Sequence, residues 1–235
     1  MPRTTRDPPV NRLIAALPPK DSRQLLQDCE QVHLKFADIL CEPGTPARHV
    51  YFPLDSIVSL IIPVAGHSGL EVGLVGNEGL LGIPVMLGVD VWPLRAVVQG
   101  AGPAWCMPAT AFRRALDRSV ALQRRLDRYV YTSMRQLAQS AACARFHVVE
   151  ARLARWLLMS QDRAHSEAFD ITQEFLANML GVRRVGVTEA ASLLQRRKLI
   201  AYRRGHITVL DRDGLEAASC GCYLLDKEVY ERVLG

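Results

Sequence analysis

Hydrophobic and polar positions change their period twice along the chain. From residue 34 to residue 107, apolar residues stand in short runs that turn-forming residues interrupt, as at Gly66–Gly69. Short runs bounded by glycine and proline are typical of strands in a sandwich or jelly roll. This part is therefore predicted to be a β domain, and a helix from Asp21 or Ser22 to about His33 is predicted to precede it.

A longer helix with a continuous apolar stripe is predicted after Ser119. Apolar residues recur there at spacings of three and four, and charged residues lie between them, which is the pattern of an amphipathic helix. We predict that the stripe pairs with a second copy of the chain as in a coiled coil. The alternative is packing on the β domain alone. The predicted dimer contacts are Leu122, Leu126, Val130, Met134 and Leu137.

The stretch Ile171–Leu210 predicts two helices joined by a tight turn and followed by a short hairpin. Ala177 is small where the two helices would touch, and Gly181 can adopt the positive φ that ends the first helix. Val187 would anchor the second helix on the first. This order is that of a helix-turn-helix with a wing, in which the second helix enters a DNA major groove.

The charge of this region supports nucleic-acid binding. Between Thr172 and His206 there are seven basic residues, and only Glu174 and Glu189 oppose them. Phosphates attract such a surface whatever the base sequence. The alternative is a helical hairpin with a solvated basic face. The basic residues are Arg183, Arg184, Arg196, Arg197, Lys198, Arg203 and Arg204.

Composition narrows the class of protein. The chain has 235 residues, of which 49% are hydrophobic and 23% charged, a balance typical of globular proteins. The formal net charge of +5 favours a polyanionic partner. Ile57–Ala65 is the longest apolar stretch and is too short to cross a bilayer, and residues 1–10 lack the apolar core of a signal peptide. We therefore expect a cytoplasmic protein without a membrane partner.

Motifs of common enzymes are missing from the sequence. It contains no nucleotide-cradling P-loop, no GxSxG nucleophile elbow and no HExxH zinc motif. An enzyme is therefore not expected. The other alternative is a module whose basic face binds an acidic protein instead of DNA.

The order of a β domain, a long helix and a winged helix-turn-helix resembles that of the Crp/Fnr transcription regulators. The most specific stretch is LGVRR…VTEAASLLQRRKLIAYRRGHITVLDRDGLEAASCGCY, within residues 180–223. The resemblance implies an α+β fold with a cyclic-nucleotide-binding-type β-roll (jelly roll) in residues 1–118. It also implies a dimerisation helix and hinge in 119–146 and a winged helix-turn-helix DNA-binding domain in 147–235. The expected function is regulation of transcription from a palindromic operator on double-stranded DNA. A homodimer would bind it, with RNA polymerase as a partner.

The resemblance also implies which residues contact DNA. An arginine near the start of the recognition helix typically reads a guanine in this family, and Arg184 stands at that place. Val185 and Glu189 stand where the cyclic-AMP-responsive prototype has glutamate and arginine, so a different base sequence is expected. Arg183 replaces the usual small N-cap residue and would contact phosphate. The full set is Thr172, Gln173, Arg183, Arg184, Val185, Thr188, Glu189, Arg203, Arg204 and His206.

The sensor domain departs from the pattern of cyclic-nucleotide binders. Those members carry Gly-Glu for the ribose and Arg followed by Ser or Thr for the phosphate. Here Ile83 follows Gly82, and Leu94 holds the arginine position. A register shift of one would let Arg95 reach an anion, with Glu78 as a displaced partner, so Glu78, Gly82 and Arg95 remain a possible effector pocket. We expect an unidentified effector or none. The alternative is a cyclic-nucleotide- or redox-responsive regulator.

The six cysteines are expected to be free thiols. The first is Cys29, so the clustered N-terminal cysteines of iron–sulfur members are missing. Cys29 and His33, one helical turn apart, form only a weak ligand pair. Cys220 and Cys222 could be redox-active or share a metal, but no Cys or His follows them to complete tetrahedral zinc. Packing is the preferred interpretation, and neither a metal site nor a cofactor is expected.

Overall fold

The computed structural model describes residues 10–164 and 168–235. Residues 1–9, on which the expectation of no signal peptide rests, lie outside this part. The fold is α+β, with an N-terminal β-roll, a long central helix and a C-terminal winged helix-turn-helix, as the sequence predicts. Among the described residues, no helix is both long enough and apolar enough to cross a membrane.

Two antiparallel sheets build the roll. In the described part of the chain their strand orders are β1-β7-β3 and β2-β6-β4-β5. Short helices flank the strands: α1 (Arg12–Ala15), α2 (Pro19–Gln27), α3 (Ile83–Met86) and α4 (Ala109–Arg118). The strands are β1 (Glu30–Leu34), β2 (Ile39–Cys41), β3 (His49–Pro53), β4 (Ile57–Val64), β5 (His67–Val75), β6 (Arg95–Gly100) and β7 (Gly102–Pro108).

The first predicted helix ends earlier than expected. α2 ends at Gln27, and the segment up to His33 is part of β1, where Val32 is paired with Ala104 of β7. Backbone pairing with an existing strand overrides a local helical pattern, because strand formation depends on its neighbours. Cys29 and His33 are therefore not one helical turn apart.

The central helix α5 (Val120–Phe146) begins at Ser119, whose hydroxyl accepts a hydrogen bond from the Leu122 amide at 3.1 Å. Leu122 and Leu126, predicted to face a partner chain, are instead buried in the core of the roll. Val130 is half-buried, whereas Met134 and Leu137 are exposed. The helix thus carries a second apolar side besides the one on the roll.

The C-terminal part contains the winged helix-turn-helix. Its strands form a sheet in the order β8-β10-β9. A core that includes Leu157, Leu176 and Leu194 joins its helices. The elements are α6 (Val149–Ala164), β8 (Ala168–Asp170), α7 (Gln173–Leu180), α8 (Arg184–Arg196), β9 (Ile200–Arg203), β10 (His206–Val209) and α9 (Arg212–Ala218).

The sequence analysis did not predict the last helix, α10 (Cys222–Leu234). It packs along α5, and the side chain of Leu234 enters the core of the roll. The Tyr230 hydroxyl donates a hydrogen bond to the Glu78 carbonyl oxygen at 2.9 Å. The chain after the wing therefore returns to the N-terminal β-roll.

The C-terminal part also contacts the roll directly. The Trp156 indole Nε1 donates to Glu71 Oε1 of β5 at 2.9 Å, and Arg163 Nε donates to Glu78 Oε1 at 2.8 Å. Both residues of the Arg163–Glu78 pair are largely buried. Ile57 of the roll belongs to the same apolar core as α6. The two parts are therefore joined by both apolar and charged contacts.

Candidate nucleic-acid interface

The helix-turn-helix is shaped by local capping. The Thr172 hydroxyl caps α7 by accepting a hydrogen bond from the Phe175 amide at 3.1 Å. Gly181 ends the helix with φ of 61°, the left-handed conformation that favours glycine. Ala177 and Val187 are buried where α7 and α8 meet. The spacing of Ala177, Gly181 and Val187 in the sequence thus produces the predicted turn.

The outer face of α8 is open to solvent. Arg184, Thr188 and Glu189 are exposed, and Val185 retains 61% of its accessible surface. Arg183 occupies the N-cap position without a side-chain capping bond, so its guanidinium is not committed to the helix end. The positive end of the helix dipole and two arginines meet there, which is a suitable arrangement for an anion.

One polar contact links α7 to the recognition helix α8. The Thr188 hydroxyl lies 2.9 Å from Gln173 Oε1 and 3.1 Å from the Arg184 carbonyl oxygen, and both atoms are acceptors. The hydroxyl proton is therefore used inside the protein. Among the described residues the Gln173 amide nitrogen has no partner, so it can donate outward, as a phosphate contact requires.

The wing is a tight hairpin with arginines at its end. Arg204 and Gly205 form its two-residue turn, with φ of 51° and 83°. Positive φ at both positions is the type I′ geometry that matches strand twist. Arg203 and Arg204 are exposed. His206 Nδ1 lies 2.8 Å from Asp170 Oδ1, so this side chain is held by β8.

The turn, the recognition helix and the wing form one continuous surface. A Cβ at Gly205 would lie 3.9 Å from Thr172 Cγ2, which places the wing beside the start of α7. The Tyr202 amide of β9 donates to Gln195 Oε1 of α8 at 2.7 Å, which ties the wing to the recognition helix. The predicted contact residues on α7, α8 and the hairpin thus lie side by side.

Not all basic residues of this region belong to that surface. Arg197, at the far end of α8, pairs with Glu150 of α6 at 2.9 Å. Sequence reasoning also missed Arg152, whose guanidinium donates to the Leu180 carbonyl oxygen at the end of α7. No local sequence pattern predicts this contact, because the two residues lie in different helices.

The predicted effector residues do not converge among the described residues. Arg95 pairs with Glu42 at the surface at 2.9 Å, and Gly82 packs tightly against Val50. Glu78 is engaged by Arg163. A single pocket made of Glu78, Gly82 and Arg95 is therefore absent from the described part of the chain, because each residue has a different partner.

A different cleft lies between the roll, α5 and α10. Its volume is about 300 Å³, and Glu78 is one of its lining residues, together with Tyr129 and Thr132 of α5. Asp226 and Lys227 of α10 line the opposite wall. Gly82 and Arg95 are not among its lining residues. The cleft depends on α10, so the sequence pattern of the roll alone could not indicate it.

The expectation about the cysteines also needs correction. No ligand follows Cys222 in the sequence, but Cys143 and His147 at the end of α5 lie beside Cys220 and Cys222 in space. The Cys143 and Cys220 sulfur atoms are 3.5 Å apart. Cys143 and His147 precede Cys220 and Cys222 by more than 70 positions, so the sequence around the pair gives no sign of them.

Comparison with known proteins agrees with this geometry. Residues 151–218 match the Crp-like helix-turn-helix domain family. No curated protein matches the sequence at a significant level. The domain match covers α6 to α9, and it ends before α10 begins.

Solved structures of similar fold extend the likeness to the sensor domain. FixK2 from Bradyrhizobium japonicum has a TM-score of 0.69 and 14% sequence identity, over 82% of this chain and 98% of its own. A CRP-family transcriptional regulator from Thermus thermophilus has a TM-score of 0.68 and 18% identity, over 80% of this chain and 96% of its own. A CRP/FNR-family regulator from the same organism has a TM-score of 0.67 and 21% identity, over 81% and 98%. At these identities the likeness shows the fold.

Proposed function

We propose that this chain, a Crp/Fnr-type transcription regulator with a helix-turn-helix DNA-binding domain and not an enzyme, binds a palindromic operator as a homodimer. The observation that carries the proposal is the continuous surface formed by the start of α7, the outer face of α8 and the wing. A helix enters a major groove through its exposed side chains, while flanking groups bind the phosphates.

The exposed residues of α8 suit the reading of bases. Arg184 would donate two hydrogen bonds to O6 and N7 of a guanine. Val185 is apolar yet exposed, which suits contact with the methyl group of a thymine. Thr188 and Glu189 lie along the same face. A carboxylate there would accept from a cytosine amino group and would reject a phosphate.

The flanking groups suit the phosphate backbone. Arg203 and Arg204 extend from a hairpin that is paired with β8. They would bind the phosphates of the DNA backbone beside the groove. Arg183 and the Gln173 amide would bind phosphate at the other side of α8. These contacts add affinity without sequence preference, and their contribution falls as salt increases.

The exposed side of α5 suits pairing with a second copy. Tyr131 and Met134 retain 53% and 64% of their surface, and Ala138 and Ala142 continue the same side. We call these four residues the α5 seam. Their spacing of three and four is that of a coiled-coil stripe, and small alanines allow close helix approach. Pairing through the α5 seam would present two recognition helices to half-sites about 34 Å apart.

The sensor domain would respond to a signal other than cyclic AMP, or to none. Of its predicted effector residues, Arg95 pairs with Glu42 and Glu78 pairs with Arg163. Gly82 packs against Val50. A signal that alters the contact between roll and helix-turn-helix would shift the population that can bind DNA. RNA polymerase remains the expected partner at the promoter.

Selection of DNA fragments by the full-length protein tests the proposal. Genomic fragments bound by the purified protein are sequenced and footprinted, and an acidic polypeptide of matched charge is used as competitor. We expect protection of a two-fold symmetric site and release by the cognate duplex at a far lower concentration than by the polypeptide. Equal displacement by both competitors, with no preferred sequence, would identify a general acidic-partner module and refute the proposal.

A further inference from the structure

Four metal-ligating side chains converge at the junction between α5 and the DNA-binding domain. We call them the hinge cluster: Cys143, His147, Cys220 and Cys222. Their donor atoms all lie within 4.8 Å of one another. The three cysteines are buried, while His147 is exposed and leaves the cluster open to solvent on one side.

The fold builds this cluster from two separate segments. Cys143 and His147 are one helical turn apart at the end of α5, so their side chains project from the same face. Cys220 lies between α9 and α10, and Cys222 is the first residue of α10. The packing of α10 along α5 brings the two segments together. Neither half alone could hold a metal ion.

Two of the six distances between donor atoms match the spacing around one tetrahedral ion, and small side-chain movements would bring in the others, which are at most 4.8 Å. With bonds of about 2.3 Å to sulfur and 2.0–2.1 Å to nitrogen, neighbouring ligand atoms lie about 3.5–3.8 Å apart. The Cys143 and Cys220 sulfurs are separated by 3.5 Å, and the Cys222 sulfur lies 3.5 Å from His147 Nδ1. We propose that the hinge cluster binds one zinc ion per chain.

Two arginines lie beside the hinge cluster, since Arg152 and Arg155 line the same pocket as Cys143. Arg152 also lies within electrostatic reach of Cys143 and Cys220. Arg155 already pairs with Asp226 at 2.6 Å, so Arg152 is the guanidinium that would mainly offset the net negative charge of a zinc ion bound to three thiolates and one imidazole.

An outer hydrogen bond already orients one ligand. Gln139 Nε2 lies 2.9 Å from the Cys222 sulfur and donates to it. Such partners hold a ligand in place and tune its basicity in metal sites. Simple packing of small apolar side chains would not require an amide donor aimed at a sulfur, an imidazole nitrogen beside a second sulfur, and arginines nearby.

The position of the hinge cluster indicates what the ion does. His147 is the residue at which α5 ends, and α6 begins at Val149. The ion would tie this hinge to the start of α10. All four donors are protein side chains and no position is left for substrate, as in a structural zinc site. Occupancy would therefore fix the angle between the central helix and the DNA-binding domain.

Cobalt and zinc titration of the full-length protein tests the site. The reduced protein is stripped with a chelator, and Co²⁺ is added while ligand-field and thiolate-to-cobalt absorption are recorded; Zn²⁺ is then added in competition. We expect saturation at one Co²⁺ per chain with the intense bands of tetrahedral thiolate coordination, displacement by Zn²⁺ and a raised Tm. Metal uptake should release thiol protons, which weakly buffered titration detects.

Single substitutions in the hinge cluster test which side chains bind the metal ion. Cys143→Ser and Cys220→Ser should weaken Zn²⁺ binding at least about 100-fold, since loss of even an outer hydrogen-bond partner costs roughly 10–100-fold. His147→Ala changes an exposed side chain and keeps the test valid if a buried variant fails to fold. Cys29→Ser, far from the hinge cluster, is the matched control and should bind normally.

Three outcomes would overturn the proposal. The first is a folded wild-type protein without the tetrahedral thiolate spectrum. The second is stoichiometric binding that persists in both Cys143→Ser and Cys220→Ser. The third is a disulfide between Cys143 and Cys220 in freshly isolated protein, detected by differential alkylation and mass spectrometry, which would identify a redox pair instead. All readouts are independent of DNA binding.

Discussion

Leu70 of the sensor sheet packs against Gly181 at the turn of the helix-turn-helix. A Cβ atom on Gly181 would lie only 2.6 Å from Leu70 Cδ1, and Gly181 has φ of 61°. The glycine is thus required by the left-handed backbone and again by the contact with β5. The turn that orients the recognition helix is therefore also the point of contact between the roll and the helix-turn-helix.

Gly181→Ala should therefore destabilise the protein. The left-handed conformation alone costs a non-glycine residue about 1–2 kcal/mol, and the clash adds to it. Adding Leu70→Ala to this variant should remove the clash but not the backbone cost. Urea unfolding measures each free energy of unfolding. Gly186→Ala is the control: it lies inside α8 with open space around its Cβ, and should stabilise by about 0.5–1 kcal/mol. Equal effects at both glycines would contradict this account.

Glu71 should make stability depend on pH. Burial raises its pKa from 4.5 to about 7, and its Oε2 is buried without a hydrogen-bond partner among the described residues. In the unfolded chain this carboxyl loses its proton near pH 4.5, while the folded protein retains it up to about pH 7. The free energy of unfolding should therefore fall as pH rises through this window, and level off above it.

Glu71→Gln should remove this component of the pH dependence. The amide oxygen can still accept from Trp156, and no charge has to be buried. At pH 8 the variant should be more stable than the wild type by about 1–3 kcal/mol, from 1.36 kcal/mol per pKa unit. Thermal or urea unfolding between pH 4.5 and pH 8 measures this difference in the free energy of unfolding. Glu174→Gln, exposed on α7, is the control. Parallel pH profiles for Glu71→Gln and the wild type would reject the prediction.

Arg184→Ala and Arg203→Ala should affect DNA binding differently. Loss of a base contact by Arg184 should cost about 1–3 kcal/mol on the preferred site and relax specificity at one base pair. Loss of a phosphate contact by Arg203 should weaken all sequences alike and flatten the salt dependence. Fluorescence anisotropy with cognate and scrambled duplexes at several salt concentrations separates the two. A uniform loss in Arg184→Ala would show that this residue touches only phosphate.

Met134→Glu should break the dimer. A carboxylate in the α5 seam would be buried against the partner without a counter-charge, which is strongly unfavourable. The variant should sediment as a monomer and lose operator affinity together. Leu87→Glu places the same charge on another exposed apolar residue outside α5, and should leave the dimer unchanged. An intact Met134→Glu dimer in sedimentation would exclude the α5 seam as the interface.

Cyclic AMP should not activate this protein. Ile83 offers no acceptor for a ribose hydroxyl, and Arg95 is paired with Glu42 at the surface. A buried phosphate without a cation costs several kcal/mol, roughly enough to abolish micromolar binding. Calorimetry with cyclic AMP and cyclic GMP should therefore show no saturable heat. A dissociation constant of about 10 μM, coupled to tighter operator binding, would disprove this interpretation.

Local sequence patterns predicted most of the fold and the turn of the helix-turn-helix. The small residue Ala177, the glycine Gly181 and the aliphatic Val187 act within one helical hairpin, so their spacing is enough to indicate the turn. The sequence pattern predicts the apolar stripe of α5 but not what covers it. An apolar stripe shows that a helix has a buried side but not what covers it, and Leu122 and Leu126 face the roll of their own chain.

The amino-acid sequence by itself thus determined the elements, their order and the basic surface of the helix-turn-helix, because these follow from interactions between near neighbours in the chain. Only the tertiary structure decided which residues meet across long separations. Glu78 and Arg163 are 85 positions apart, and Cys143 and Cys220 are 77 apart. Such pairs form because α10 and the roll pack on a common helix. The hydrophobic period of one segment does not predict such packing, because the packing depends on the whole core.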